Sequence, residues 1–217
     1  LMYKYRLSIA ALLLSFCAGP TLADREPVLK QIDVPHNYYF REMYLPQLTS
    51  GPSSLAWSPD GKSLIYSMQG SLWHQDIESG VARQLTAGPG YDYQPDWSPD
   101  GARVAFVRYA GDAMELQLLD IDSGTVTALT DEGAVNTEPR WSPDGSRLAF
   151  VSTRDTGRFH VFVGDVVEDT LNAGPLMEER VSEVTRYYYS AYDHELSPAW
   201  SPDGKELVYI AHPDIPY

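Results

Sequence analysis

The feature that most limits what this chain can fold into is a five-residue string, WSPDG. It occurs four times, at Trp57–Gly61, Trp97–Gly101, Trp141–Gly145 and Trp200–Gly204. The four tryptophans are 40, 44 and 59 positions apart. A period of roughly 40–45 residues is the sequence mark of a four-stranded propeller blade. The string itself reads as a turn. Proline presets φ, aspartate bonds to nearby backbone, and glycine takes the left-handed conformation that leads into a G1 bulge. Each SPDG is expected to join two antiparallel strands, with the tryptophan closing the first of them.

The residues after each turn are equally regular. The runs KSLIYSM, ARVAFVR, SRLAFVS and KELVYIA are short, rich in β-formers and nearly continuous in apolar residues. A strand with one wet face would alternate, so continuous runs predict burial on both faces, as between stacked blades. Third strands are expected at SLWHQDI, MELQLLDI and RFHVFVGDV, and fourth strands at ARQLT, VTALT and VSEVT. The predicted fold class is therefore all-β, a β-propeller with four-stranded blades. Three complete blades fall at about 55–86, 95–130 and 139–185, and part of a fourth ends at ELVYIA (206–211). YLPQLT (44–49) matches a lone outer strand. A run that starts on a fourth strand and stops on a second predicts an incomplete propeller, the front part of a longer protein, because closure is what removes sheet edges.

The first 23 residues read differently. Lys4 and Arg6, an apolar stretch from Leu7 to Ala18, and the small residues around Ala23 have the order of a secretory signal peptide. The expected organisation is a signal over 1–23, an extension over 24–43 and the partial propeller over 44–217. Cleavage after Ala23 would remove Cys17, the one cysteine, so a disulfide framework is excluded. It would also leave 14 basic residues (16 less Lys4 and Arg6) against 30 acidic ones. A surface of that sign repels phosphate backbones and anionic lipid heads, which argues against nucleic acid as a partner. No membrane span is expected once the signal is gone, and the location expected is periplasmic or secreted.

A search for chemistry finds no catalytic set. There is no G-x-S-x-G, and the five histidines (36, 74, 160, 194, 212) form no H-x-H or H-E-x-x-H pair. DIDSG (120–124) resembles the start of a calcium loop, but its counterpart DIESG (76–80) marks both as hairpin turns. No catalytic, cofactor-binding or metal residues are assigned in this segment. The longer spacing before Trp200 brings in a tyrosine-rich loop, YYYSAYDHE (187–195). Tyr189, Tyr192, Asp193 and His194 are its candidate interface or ligand residues, since binding function concentrates on loops held by a regular scaffold. The alternative is that the aromatics pack between blades while the polar groups fix the loop.

The WSPDG repeats resemble the TolB-like propeller family of bacterial envelope proteins, over about residues 40 to 211. Such blades also occur in tricorn-type proteases and in prolyl oligopeptidase relatives. The longer stretches FREMYLPQLTSGPSSLAWSPDGKSLIYSMQGSLWHQ (40–75) and RYYYSAYDHELSPAWSPDGKEL (186–207) are similar to the N-terminal propeller of secreted bacterial proteins that end in a metal-dependent amidohydrolase domain. That likeness implies a downstream catalytic domain in the same chain as partner, with a divalent metal held there; none of its ligands maps onto this sequence. The alternatives implied are a TolB-like scaffold for envelope proteins and the propeller of a serine peptidase.

Overall fold

The computed structural model describes residues 51–177 and 194–211, and its regular structure there is entirely β. The first sheet is β1 (Ser53–Trp57), β2 (Ser63–Met68), β3 (Ser71–Asp76) and β4 (Ala82–Gln84). The second is β5 (Tyr91–Trp97), β6 (Arg103–Ala110), β7 (Ala113–Asp120) and β8 (Val126–Ala128). The third is β9 (Asn136–Trp141), β10 (Arg147–Ser152), β11 (His160–Val167) and β12 (Thr170–Pro175). The pair β13 (Leu196–Trp200) and β14 (Leu207–Ile210) begins a fourth. Each sheet is an antiparallel meander in chain order, so each is one blade.

Every first strand ends on the tryptophan of WSPDG, and two side chains build the turn beyond it. The serine hydroxyl donates to the aspartate, at 2.7 Å for Ser58–Asp60 and 2.5 Å for Ser98–Asp100, and the same pair forms in the other two turns. The serine oxygen also accepts the N–H five residues on, and the aspartate accepts the N–H two residues on. The glycines sit at φ between 68° and 73°, where a Cβ would be strained. Donated hydrogen bonds stabilise the ionised carboxylate, so the serine hydroxyls hold Asp60, Asp100 and Asp203 below the usual range, and Asp144 at about 2.

The continuous apolar runs have a simple reading in the packing. Side chains alternate across a strand, and in the second blade both sides are covered. Val104 and Phe106 of β6 join Ile65 and Leu72 of the first blade. Ala105 and Val107, one position on, join the core shared with Leu148, Phe150 and Phe162 of the third. Two blades on either side turn one strand into two half-cores.

One expectation needs correction. The place beside β11 in the third blade is taken by Thr170–Pro175, where the sequence suggested part of a long connection. Glu168 adopts φ 54°, which lets the chain reverse directly at Glu168–Asp169 without the glycine or asparagine that usually signals such a turn. VSEVT (181–185), the expected strand, lies outside the described residues, as do YLPQLT (44–49), the N-terminal extension and the signal segment.

Candidate functional site

The first strands of successive blades lie side by side and form one inner wall. Three residues before each tryptophan the backbone is left-handed: Ser54 at φ 44°, Gln94 at 50°, Glu138 at 55° and Ser197 at 56°. None is glycine, so each position carries strain on the order of 1–3 kcal/mol. The strand register shifts at the same place in all four blades, which marks a β-bulge. The bulge presents a backbone N–H to the preceding blade. Gln94 Oε1 accepts from Glu138 N–H at 2.9 Å, and Glu138 Oε2 accepts from Ser197 N–H at 2.5 Å. Bonds between blades thus offset strain within them.

A second tie lies two residues along. Asp96 Oδ2 accepts the N–H of Trp141 at 2.7 Å. Burial pushes the Asp96 carboxyl up to about 6, against the opposing pull of that bond and of the Arg140 charge. A third tie comes from the residue six past each tryptophan. The Arg103 guanidinium lies 5.1 Å from the Trp141 ring and that of Arg147 4.5 Å from the Trp200 ring. Both arginines also donate to backbone of the next blade or its turn, Arg103 to Glu168 O and Arg147 to Gly204 O, each at 3.0 Å.

The seam between the first and second blades has none of these. Ser54, Ala56 and Ser63 stand where the second blade has Gln94, Asp96 and Arg103. Ala56 offers no acceptor, and Ser54 makes no bond to Gln94 N–H. His74 meets the Trp97 ring edge-on at 6.2 Å instead. A cleft of about 620 Å³ opens on the inner wall at this seam, lined in part by Trp57, Pro59, Gln94, Asp96, Trp97 and Arg140. It combines two tryptophans and a proline with an acid, an amide and a guanidinium, and the lining open to solvent is more polar than apolar.

The loop singled out in the sequence enters the description only at its end. Tyr189, Tyr192 and Asp193 lie outside the described residues. His194 is buried, its Nδ1 accepting the Phe159 N–H at 3.1 Å and its ring 5.4 Å from that of Phe159. Glu195 N–H donates to Phe159 O, and Glu195 Oε2 accepts from Val161 N–H at 2.9 Å and stands 4.0 Å from His160 Nδ1. The end of the loop, His194 and Glu195, is therefore pinned to the start of β11. Among the described residues no three His, Cys, Asp or Glu side chains group as metal ligands.

The opposite ends of the strands carry further buried polar groups. Arg108 grips Asp92 through two bonds, at 2.7 and 2.9 Å. Glu115 Oε2 accepts from Thr130 and Asn136, and Arg154 reaches Asn136 Oδ1 at 3.1 Å while lying 5.0 Å from the Phe150 ring. Sequence reading missed Gln94, Asp96, Glu138 and Arg140. The available signal was their fixed offset from each tryptophan, which lines up the four repeats as Ser, Gln, Glu, Ser and as Ala, Asp, Arg, Ala.

Comparison with known proteins agrees with this architecture. The model of the TolB beta propeller domain matches residues 40–211. An uncharacterised Agrobacterium fabrum protein is 44% identical over 54 residues, which is 23% of this chain and 18% of that one. Dipeptidyl-peptidase 5 of Porphyromonas gingivalis is 30% identical over 74 residues, 30% of this chain and 11% of its own. The matches therefore span less than a fifth of these curated relatives. Among solved structures, a putative TolB from Agrobacterium tumefaciens superposes with a TM-score of 0.56 at 30% identity, covering 72% of this chain and 57% of that one. TolB from Acinetobacter baumannii gives 0.61 at 21% identity, covering 76% and 38%. An oligogalacturonate lyase from Vibrio parahaemolyticus gives 0.58 at 17%, covering 76% and 49%. The last two show a shared fold. No helix among the described residues is long and apolar enough to cross a membrane. With four WSPDG turns, antiparallel blade meanders and a family match over most of its length, this chain belongs to the TolB β-propeller family.

Proposed function

We propose that this segment is the non-catalytic propeller of a periplasmic or secreted hydrolase, recognising and admitting a ligand at its inner wall while catalysis takes place in a downstream domain. The observation that carries the reading is the cleft at the first seam, where Gln94, Asp96 and Arg140 face a space flanked by Trp57 and Trp97. Its polar lining suits a ligand held by hydrogen bonds and charge. A hydrolase parent is supported by the stretch shared with dipeptidyl-peptidase 5. The resemblance of 40–75 and 186–207 favours a metal-dependent amidohydrolase, with its divalent metal bound in that downstream domain.

A second reading keeps the propeller and drops the enzyme: a TolB-like scaffold that binds envelope proteins, supported by the structural likeness to TolB. The native protein decides. Its mass, read by immunoblot against this segment in the periplasm, should far exceed that of the 217-residue chain. Hydrolysis by that species should be lost on chelation and restored by divalent metal. Labelling by a fluorophosphonate would instead make it a serine peptidase, and a mass no larger than this chain would leave the scaffold. Within an active hydrolase, Arg140→Ala should raise KM with kcat little changed, the mark of a group that binds without entering the chemistry.

A further inference from the structure

The cleft at the first seam is lined by three polar side chains whose seam bonds decide which of their atoms remain for a ligand. Gln94 Oε1 accepts the Glu138 N–H, so the end left over is the amide nitrogen, which has no acceptor among the described residues. Arg140 gives one N–H to Pro139 O at 2.7 Å and forms no ion pair among the described residues. Asp96 Oδ2 accepts the Trp141 N–H, and Arg140 attracts this carboxyl from beyond salt-bridge distance. The uncommitted capacity is therefore mostly donor: the amide N–H groups of Gln94 and the outer N–H groups of the Arg140 fork. Trp57, Pro59 and Trp97 line the same space. Gln94 and Asp96 come from the second blade and Arg140 from the third, and at the same offsets the first and fourth blades have only Ser54 and Ala56, Ser197 and Ala199.

A surplus of donors around one guanidinium selects an anion rich in acceptors. A carboxylate presents two coplanar oxygens that match the fork in pairs, whereas an amide presents one oxygen. We infer that this cleft binds the C-terminal carboxylate of a peptide, with Arg140 and Gln94 Nε2 holding the anion and the last side chains lying along Trp57, Pro59 and Trp97. The inference rests on the reading of the cleft as a ligand site and names what enters it. A peptide end is the carboxylate that an amide-cleaving parent protein would meet.

Binding of this kind is tied to a proton. The arriving carboxylate sets a second negative charge beside Asp96, whose carboxyl burial already pushes up to about 6. Like charges close together disfavour ionisation, so the complex raises Asp96 further and takes up a proton as it forms. Affinity is then highest below pH 6, down to the pKa of about 3.5 of the peptide carboxyl itself. It falls as pH rises through 6 towards the higher value of the complex, by up to about tenfold per pH unit. Of the strands packed against β5, β1 and β2 carry no charged group, β3 carries His74 and Asp76, β6 Arg103 and Arg108, and β9 Glu138 and Arg140. His74 is held below its ordinary value by burial and by Arg83.

The test is calorimetric titration of the full-length protein with acetyl-trialanine, its C-terminal amide, and glucuronate. Runs at pH 5 and pH 7, in buffers of different ionisation heat, read affinity and proton uptake together. The acid should bind about tenfold or more tighter than the amide at pH 5, and should take up a proton only at pH 7. Gln94→Glu keeps the acceptor for Glu138 N–H, as Glu138 does for Ser197, but replaces the donor with a charge. It should weaken the acid about tenfold or more and leave the amide unchanged. Asp96→Asn should abolish the proton uptake, and it carries the test alone should Gln94→Glu not fold. Acid binding that Gln94→Glu leaves intact, or that takes up no proton at pH 7, overturns the inference. Equal affinity for acid and amide, both weakened by Arg140→Ala, overturns the carboxylate and keeps the cleft as a ligand site. Glucuronate bound in place of the peptide overturns the peptide, and no probe responding to Arg140→Ala removes the ligand site as well.

Discussion

The seam between the second and third blades and the seam between the first and second are built from the same repeat, yet they are held differently. At the former, Gln94, Asp96 and Arg103 all reach the next blade, and a core containing Phe150, Phe162 and Leu116 lies behind them. At the latter the three positions are Ser54, Ala56 and Ser63, the core beneath is the smaller group around Ile65 and Phe106, and a cleft opens on the inner wall. The difference separates two roles within one motif. WSPDG itself builds the turn, which all four blades share. Residues at fixed offsets from its tryptophan decide whether the inner wall at a seam is bridged by side chains or opens as a cleft.

The largest break in the comparison comes from the well-packed side. Phe150 is fully buried and stacks on Phe162 with centroids 5.7 Å apart. Phe150→Ala should cost about 3–5 kcal/mol in urea unfolding through lost burial and the cavity left behind. Val208 of β14, 65% exposed, belongs to an apolar run of the same kind. Val208→Ala should change stability by no more than about 0.5 kcal/mol. Equal costs would mean that the runs do not owe their burial to flanking blades.

Asp96 gives the next effect, and its sign is specific. Its folded pKa of about 6 lies above the ordinary value of 3.8, so its contribution is complete below the ordinary value. It is lost as pH rises through 6, by roughly 3 kcal/mol for a shift of about two units. Asp96→Asn keeps an oxygen for the Trp141 N–H and should remove this loss, so the variant gains on the parent between pH 4 and 7. The turn aspartates slope the opposite way at lower pH, since their carboxyls are held down. A difference between parent and variant that does not change with pH would remove Asp96 from this account.

Two smaller changes sharpen the contrast. Arg103→Ala should cost about 1–2 kcal/mol, from the contact with Trp141 and the bond to Glu168 O. Lysine there should restore only part, lacking the planar fork. Across the open seam, Ser54→Gln should supply the acceptor that Gln94 supplies one blade on, raising the thermal midpoint by an amount equivalent to about 0.5–1 kcal/mol. A flat or lowered midpoint would show that the left-handed position at φ 44° does not hold its N–H partner as its counterparts do.

Much of the fold was legible because its signals are local. Ser58 and Asp60 make their turn with atoms at most five residues away, and so do their three counterparts. The blade strands could be placed from that spacing and from apolar runs that only two-sided burial explains. Glu168 escaped notice because a glutamate at positive φ leaves no compositional trace, and β12 was missed with it. The inner-wall site was hidden for a different reason. Gln94 and Glu138 are 44 positions apart and ordinary in type, and only the adjacency of first strands makes one the acceptor for the other. His194 likewise meets Phe159, and Glu195 approaches His160, only because the start of the fourth blade returns to the start of β11.

The sequence by itself determined the turn, the spacing of the blades and the two-faced burial of β6 and β10, because these depend on dihedral preference and on periodicity within a few residues. Tertiary structure alone decided which seam is tied and which is open, and where a carboxylate is pushed up to about 6. Those properties belong to pairs of blades: a hydrogen-bond partner, a cation over a ring and the exclusion of water around Asp96 exist only once two strands some forty residues apart lie side by side.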